Sequence, residues 1–153
     1  MDSIDQKILA LLQADCTLSV SDLADRVGLS STPCWRRIQK MEASGVIKAR
    51  VALLDPRKMN VGVTVFIAIR TSHHSSEWLS RFQAVVNDIP EITEFYRMSG
   101  DIDYLLRAVV PDIGAYDSVY KRLIEGIELN DVTSMFAMET IKWTTMLPVT
   151  YVD

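Results

Sequence analysis

An α+β chain made of two unlike domains is what these 153 residues predict. A helix-turn-helix domain of winged-helix type is expected over residues 1–50. A ferredoxin-like βαββαβ domain is expected over 61–153, with a strand and linker at 51–60 between them. Three observations carry this. Apolar residues recur at helical spacing through the first fifty positions, then at every second position from residue 61. Between the two periods lies a proline-containing polar break, "LDPRKMN" (54–60). Charge divides as well: residues 35–50 are net +4 inside a chain of net charge −4.

The first helix follows from Ile4, Ile8, Leu11 and Leu12, which form one apolar stripe. Ser19 or Ser21 can cap a short second helix that carries Leu23, Ala24 and Val27. Gly28 suits the left-handed backbone that closes a helix, and Leu29 can plug the core. Ser30 then caps a third helix with Pro33 in its tolerant first turn. Cys34, Ile38 and Met41 fall at i, i+4 and i+7 and are expected to face inward, and Gly45 ends the helix. Thr32, Arg36, Gln39 and Lys40 then point outward, with Arg37 near the edge. A helix of about 14 residues is roughly 21 Å long and fits a DNA major groove about 12 Å wide. The following "VIKARVALLD" (46–55) reads as a strand.

In the second domain Val63, Val65, Ile67 and Ile69 alternate with Gly62, Thr64, Phe66 and Ala68, a first strand. A helix starts after Ser75 or Ser76, carries Trp78, Phe82, Val85 and Ile89 on one face, and stops at Pro90. "EITEFYRMSG" and "IDYLLRAVV" read as two strands joined tightly at Gly100-Asp101. Asp112 can cap a second helix bearing Tyr116, Val119, Tyr120 and Leu123, and "DVTSMFAMETIKW" reads as the last strand. Helices on one side of a sheet leave its other face to be covered, which favours a homodimer joined sheet to sheet.

Composition excludes several classes. With 48% hydrophobic and 24% charged residues the chain is not disordered. No apolar run reaches the roughly 18 residues of a membrane span, and "MDSIDQKILALL" lacks a basic leader, so a soluble cytoplasmic protein is expected. Cys16 and Cys34 are too few for a disulfide framework and have no zinc spacing. Cys34 is expected to be a small buried hydrophobe, and Cys16 structural. His73 and His74 point to opposite sides of an extended chain and lack further ligands, so no metal site is expected. No phosphate-cradling glycine loop or nucleophile motif is present, so the chain reads as no enzyme and needs no cofactor.

The candidate functional residues form two groups. Arg36, Arg37 and Lys40 can pair with phosphates, and an arginine can also read guanine. Ser31 and Thr32 add hydroxyls at the helix N-terminus. Trp35 is expected to pack inside the domain. In the second domain, Gly100 allows close backbone approach by a ligand, and Asp101 and Asp103 place two carboxylates near one turn.

On "IDQKILALLQADC", "LADRVGLSSTPCWRRIQKMEASGVI", "ALLDP", "SGDIDYLLRAVVPDIGAYD" and "DVTSMFAMETIK", the chain resembles the Lrp/AsnC family of transcription regulators over nearly its whole length. The resemblance implies double-stranded DNA as partner, an amino-acid effector, and dimers that assemble into octamers or similar rings. It also implies an effector pocket between dimers, at the Gly100–Asp103 turn and at Met135, Phe136 and Ala137. "ALLDP", "HHSSEW", "FYRMSGDIDYLLR" and "FAMETIKWTTMLP" look most like a branch that responds to cysteine. An effector-independent architectural DNA binder and a redox-sensing repressor using Cys16 or Cys34 are the competing readings.

Overall fold

Asp2 opens the first helix as a reciprocal cap. Its carboxylate accepts from the backbone of Ile4 and Asp5, and Asp5 accepts from the Asp2 N–H in return. The computed structural model describes residues 1–151 and divides them into two units: Met1–Ala52 with residues 141–151, and Leu53–Thr140. Residues 141–151 were expected with the second domain; by their contacts they group with the first.

In the first unit, α1 (Ser3–Ala14), α2 (Val20–Val27) and α3 (Ser31–Ala43) enclose one apolar core. Ser19, rather than Ser21, caps α2, and Asp22 answers it three positions on. Gly28 ends α2 at φ +72°, a conformation costly for any residue with a Cβ. The core is Ile8, Leu9, Leu23, Ala24, Cys34, Ile38 and Met41, with Leu29, Ile47 and Val149 packed on it. Val149 comes from the returning C-terminal segment. Beside it, the Gln13 side-chain amide donates to the Leu147 carbonyl (3.0 Å) and accepts from the Leu147 N–H (2.6 Å).

The strand expected at 46–55 is not formed among the described residues. Its alternation is real, but a strand also needs a ladder partner, and none of the described residues supplies one. Val51, Leu53 and Leu54 consequently stand exposed. The break beyond winds into a turn: Asp55 accepts from Arg57 and Met59, and Asn60 closes it in the left-handed region at φ 56°.

The second unit runs β1 (Val63–Arg70), α4 (Ser76–Asn87), β2 (Ile92–Arg97), β3 (Tyr104–Val110), α5 (Ile113–Gly126) and β4 (Asp131–Phe136). The sheet order is β2-β3-β1-β4 with every neighbouring pair antiparallel, the ferredoxin-like arrangement. Ser75 caps α4 and Asp112 caps α5. Val65, Ile67 and Ile69 of β1 share a core with Trp78, Phe82 and Val86 of α4 and with Tyr116, Val119 and Leu123 of α5. Val86 is buried on α4, while Val85, partly buried, packs on the edge of the same core against Gly126 of α5. The last strand stops at Phe136, seven residues short of the expected end. Ala137 still donates to the Thr64 carbonyl (2.9 Å), after which the ladder ends.

Candidate nucleic-acid interface and effector turn

Burial of Cys34, Ile38 and Met41 fixes how α3 is turned. At 100° per residue, Thr32, Arg36, Gln39 and Lys40 are carried to the far side, and all four are exposed. Ser31 is exposed at the helix start. Ser30 occupies the N-cap position without a side-chain cap bond, so the positive end of the helix keeps backbone donors free for an anion.

The basic residues of this region have unequal roles. Arg37 Nη1 donates to Asp2 Oδ2 (2.7 Å) and to Asp5 Oδ1 (2.8 Å), tying α3 to the cap of α1. The Asp5 hydrogen bond and then that of Asp2 push the Arg37 guanidinium pKa up, and Asp2 is held below the usual carboxylate range by the Asp5 N–H and by Arg37. Arg37 was expected among the DNA contacts; its charge is met inside the domain. Arg50 pairs with Glu42 (2.9 Å), whose other oxygen takes the Gln39 amide (2.8 Å). Arg36 and Lys40 have no ion pair among the described residues, and both stand on the outward row. Cys34 is fully buried, which pushes its thiol pKa up against the opposing charge of Arg37, whereas Cys16 is exposed. Trp35 departs from expectation. It is 50% exposed rather than packed, because the core row passes one position to its N-terminal side.

In the second unit the "SGDIDY" turn closes β2 onto β3. Met98 N–H donates to the Asp103 carbonyl (2.8 Å), and Gly100 sits at φ +116°. A Cβ on Gly100 would meet open space, so backbone conformation alone demands glycine there. Asp103 N–H donates to the Ile69 carbonyl (2.9 Å), and its Oδ2 accepts from Thr71 N–H (2.8 Å). The turn is therefore fastened to the end of β1. Arg70 completes the fastening by donating from Nε to the Asp101 carbonyl (2.7 Å). Sequence reading missed Arg70, which looks like the polar end of a strand; only the fold brings it to a turn thirty-one residues away. The Asp101 side chain is exposed.

Met135, Phe136 and Ala137 lie elsewhere. Met135 is opposite Phe66 and Phe136 opposite Val65, five and six positions before Thr71 on β1. At about 3.4 Å per residue the two groups are some 17 Å apart along the strand. They also face different ways. Phe136 packs edge-on against Tyr116 of α5 (5.3 Å between ring centroids), while Met135 is on the side of Phe66, away from the helices. One copy of the chain does not bring these six residues into one pocket.

Two family models cover the chain. Winged helix-turn-helix DNA-binding matches residues 1–48, and the Lrp/AsnC ligand binding domain matches residues 64–147. The chain belongs to the Lrp/AsnC family. Among curated Lrp/AsnC-type relatives, the DNA-binding transcriptional activator DecR of Escherichia coli K12 is 53% identical over 97% of this chain and 99% of its own. The glutamate uptake regulatory protein of Zymomonas mobilis is 51% identical over 97% and 90%. The crystal structure of an AsnC family regulator from Agrobacterium tumefaciens matches with TM-score 0.96 and 67% identity over 99% of both chains. A Neisseria meningitidis regulator in complex with L-Met matches with TM-score 0.92 and 34% identity over 98% and 97%. This Lrp/AsnC chain is thus a DNA-binding transcriptional regulator with a ligand-binding domain, and not an enzyme. Among the described residues no helix is long and apolar enough to cross a membrane.

Proposed function

We propose that the protein is a cytoplasmic, sequence-specific regulator that docks α3 in the DNA major groove and answers to an amino acid, with cysteine the favoured effector. The observation that carries the DNA reading is the contrast on α3 and just after it. Arg37 and Arg50 are neutralised within the unit, while Arg36 and Lys40 stand unpaired on the outward row beside Ser31 and Thr32. These four are the proposed DNA contacts, with Arg37 holding the helix in place.

For the effector, Gly100, Asp101 and Asp103 offer one half of a site and Met135, Phe136 and Ala137 the other. Their separation within one chain supports a pocket completed between copies, in a homodimer that assembles further, to an octamer or a similar ring. An effector seated between copies shifts the balance of assemblies by its differential affinity for them, and that shift reaches the DNA-binding units. Cysteine rests on the resemblance of "ALLDP" and "FYRMSGDIDYLLR" to the cysteine-responsive branch. Related names point to different small molecules, glutamate uptake in one and L-Met in another.

The test is thermal unfolding against the twenty amino acids, with cysteine kept reduced. A ligand at 100 times its dissociation constant adds about 2.7 kcal/mol. A shift with cysteine alone supports the full reading. A shift with another amino acid removes the cysteine assignment. No shift, with operator binding intact, favours an effector-independent architectural binder.

A further inference from the structure

Trp35 is a large aromatic that the fold does not use. Half of it is exposed, and it takes part in no ring contact or hydrogen bond among the described residues. Trp78, by contrast, is buried among Phe82 and Tyr104. An indole offers 150–250 Å² to a contact, so on the order of 100 Å² of it is left facing water. Its position singles it out from scattered surface residues. It is the fifth residue of α3, one turn from Ser31 and Thr32 on one side and from Gln39 on the other, and next to Arg36. The N-terminal part of a recognition helix is the part that reaches base edges.

Resting on the DNA-docking reading of α3, we propose that Trp35 is a specificity-determining residue that lays its indole against a thymine C5-methyl on the floor or wall of the major groove. The chemistry fits one occupant. Thymine presents the one apolar group among the base edges of that groove, and an uncharged aromatic at the flank of a helix whose outer row is Thr32, Arg36, Gln39 and Lys40 complements it. Arg36 and Lys40 supply attraction to phosphate that is blind to sequence; Trp35 contributes discrimination with no charge. The indole therefore separates two quantities that the basic residues join: affinity for the selected site, and salt dependence of binding.

The experiment selects duplexes from a random pool with the full-length protein. It then compares wild type, Trp35→Ala, Trp35→Phe and Arg36→Ala on the selected duplex and on mixed-sequence DNA across salt concentrations. Trp35→Ala is expected to weaken the selected duplex 10- to 100-fold, to leave mixed-sequence binding and the salt slope unchanged, and to lose one thymine preference per half-site. Trp35→Phe recovers part of the affinity. Arg36→Ala weakens both DNAs and lowers the slope by about one. Unchanged selection by Trp35→Ala overturns the proposal while the DNA reading stands. So does a lost melting transition or altered oligomeric state in both Trp35 variants, which makes the residue a packing or self-association contact. If wild type selects no duplex, the DNA reading itself fails and this one with it.

Discussion

Replacing Gly126 by alanine tests how closely the two helices of the ligand-binding unit are packed. Gly126 is the last residue of α5 and has no positive φ to excuse it. A methyl built there would lie 2.6 Å from Val85 Cγ1, 2.8 Å from its Cγ2 and 3.3 Å from its Cβ. Carbon atoms rest about 3.5–4.0 Å apart, so two of these contacts are far inside repulsion. Val85 cannot swing clear, because a β-branched side chain on a helix has essentially one χ1 well. Alanine gains up to about 1 kcal/mol in helix propensity, less at a helix end, while overpacking costs about 1–3 kcal/mol. The net expectation is a loss of roughly 1–2 kcal/mol. That lowers the melting temperature by a few degrees, at about 2–4 °C per kcal/mol for a chain of this size. Thermal melts of wild type, Gly126→Ala, Val85→Ala and the double variant form the assay, and the double variant should lose less than the two singles together. A Gly126→Ala protein melting at or above wild type would refute the reasoning.

The two neighbouring arginines of α3 should separate cleanly. Arg36→Ala is expected to reduce the slope of log affinity against log salt by about 0.9, one phosphate contact, with an unchanged melt. Arg37→Ala should lower the melting temperature and change the slope little. Its stabilising pair with Asp2 should also show in pH titration. Because the Asp2 carboxyl is depressed by the Asp5 N–H and by Arg37, the contribution is present above the usual carboxylate range and lost as pH falls through the lowered value. A wild-type acid transition that persists unaltered in Arg37→Ala would contradict this. At the Gly100–Asp103 turn, Asp103→Ala strands the buried Thr71 N–H and should cost about 1–3 kcal/mol in a denaturant melt. Asp103→Asn keeps the acceptor and should melt near wild type while losing the thermal response to effector. In native protein, thiol labelling should modify Cys16 rapidly and Cys34 only at the rate of unfolding, since burial removes Cys34 from solvent and raises its pKa. Equal rates for both would argue against the packing described.

Local rules were legible wherever the deciding partner lay within a few residues. Ser19 with Asp22, Asp112 with Ala115, and Gly28 after Val27 are short-range devices, and the βαββαβ order follows from where the period changes. The failures share a different cause. Segment 46–55 has the alternation of a strand, yet pairing depends on a neighbour that alternation does not specify. Residues 141–151 carry no signal that Val149 and Leu147 return to α1. Arg37, near the edge of the outward row, carries no sequence signal that Asp2 and Asp5, more than thirty residues earlier, pair with it. For the candidate effector residues, the family resemblance supplied the Met135–Ala137 segment, and nothing in the sequence shows that one chain holds it and the Gly100–Asp103 turn at opposite ends of a strand, with Met135 and Phe136 on opposite faces.

The return of Leu147 and Val149 to the first unit brackets the second unit between two segments of the first, so it is not a module hung from one end. Each unit is joined to the other by two covalent strands, near residues 52 and 140. After a single proteolytic nick in the exposed 53–60 segment, the three helices are held to the rest only by the non-covalent contacts of the tail, Val149 on the core and Leu147 on Gln13. A fragment ending at Ala52 would forfeit the Val149 side chain from its core and leave the Gln13 amide without its backbone partner. Chimaeras that exchange operator specificity between relatives would need two junctions to stay whole, with the tail travelling alongside the helices it closes.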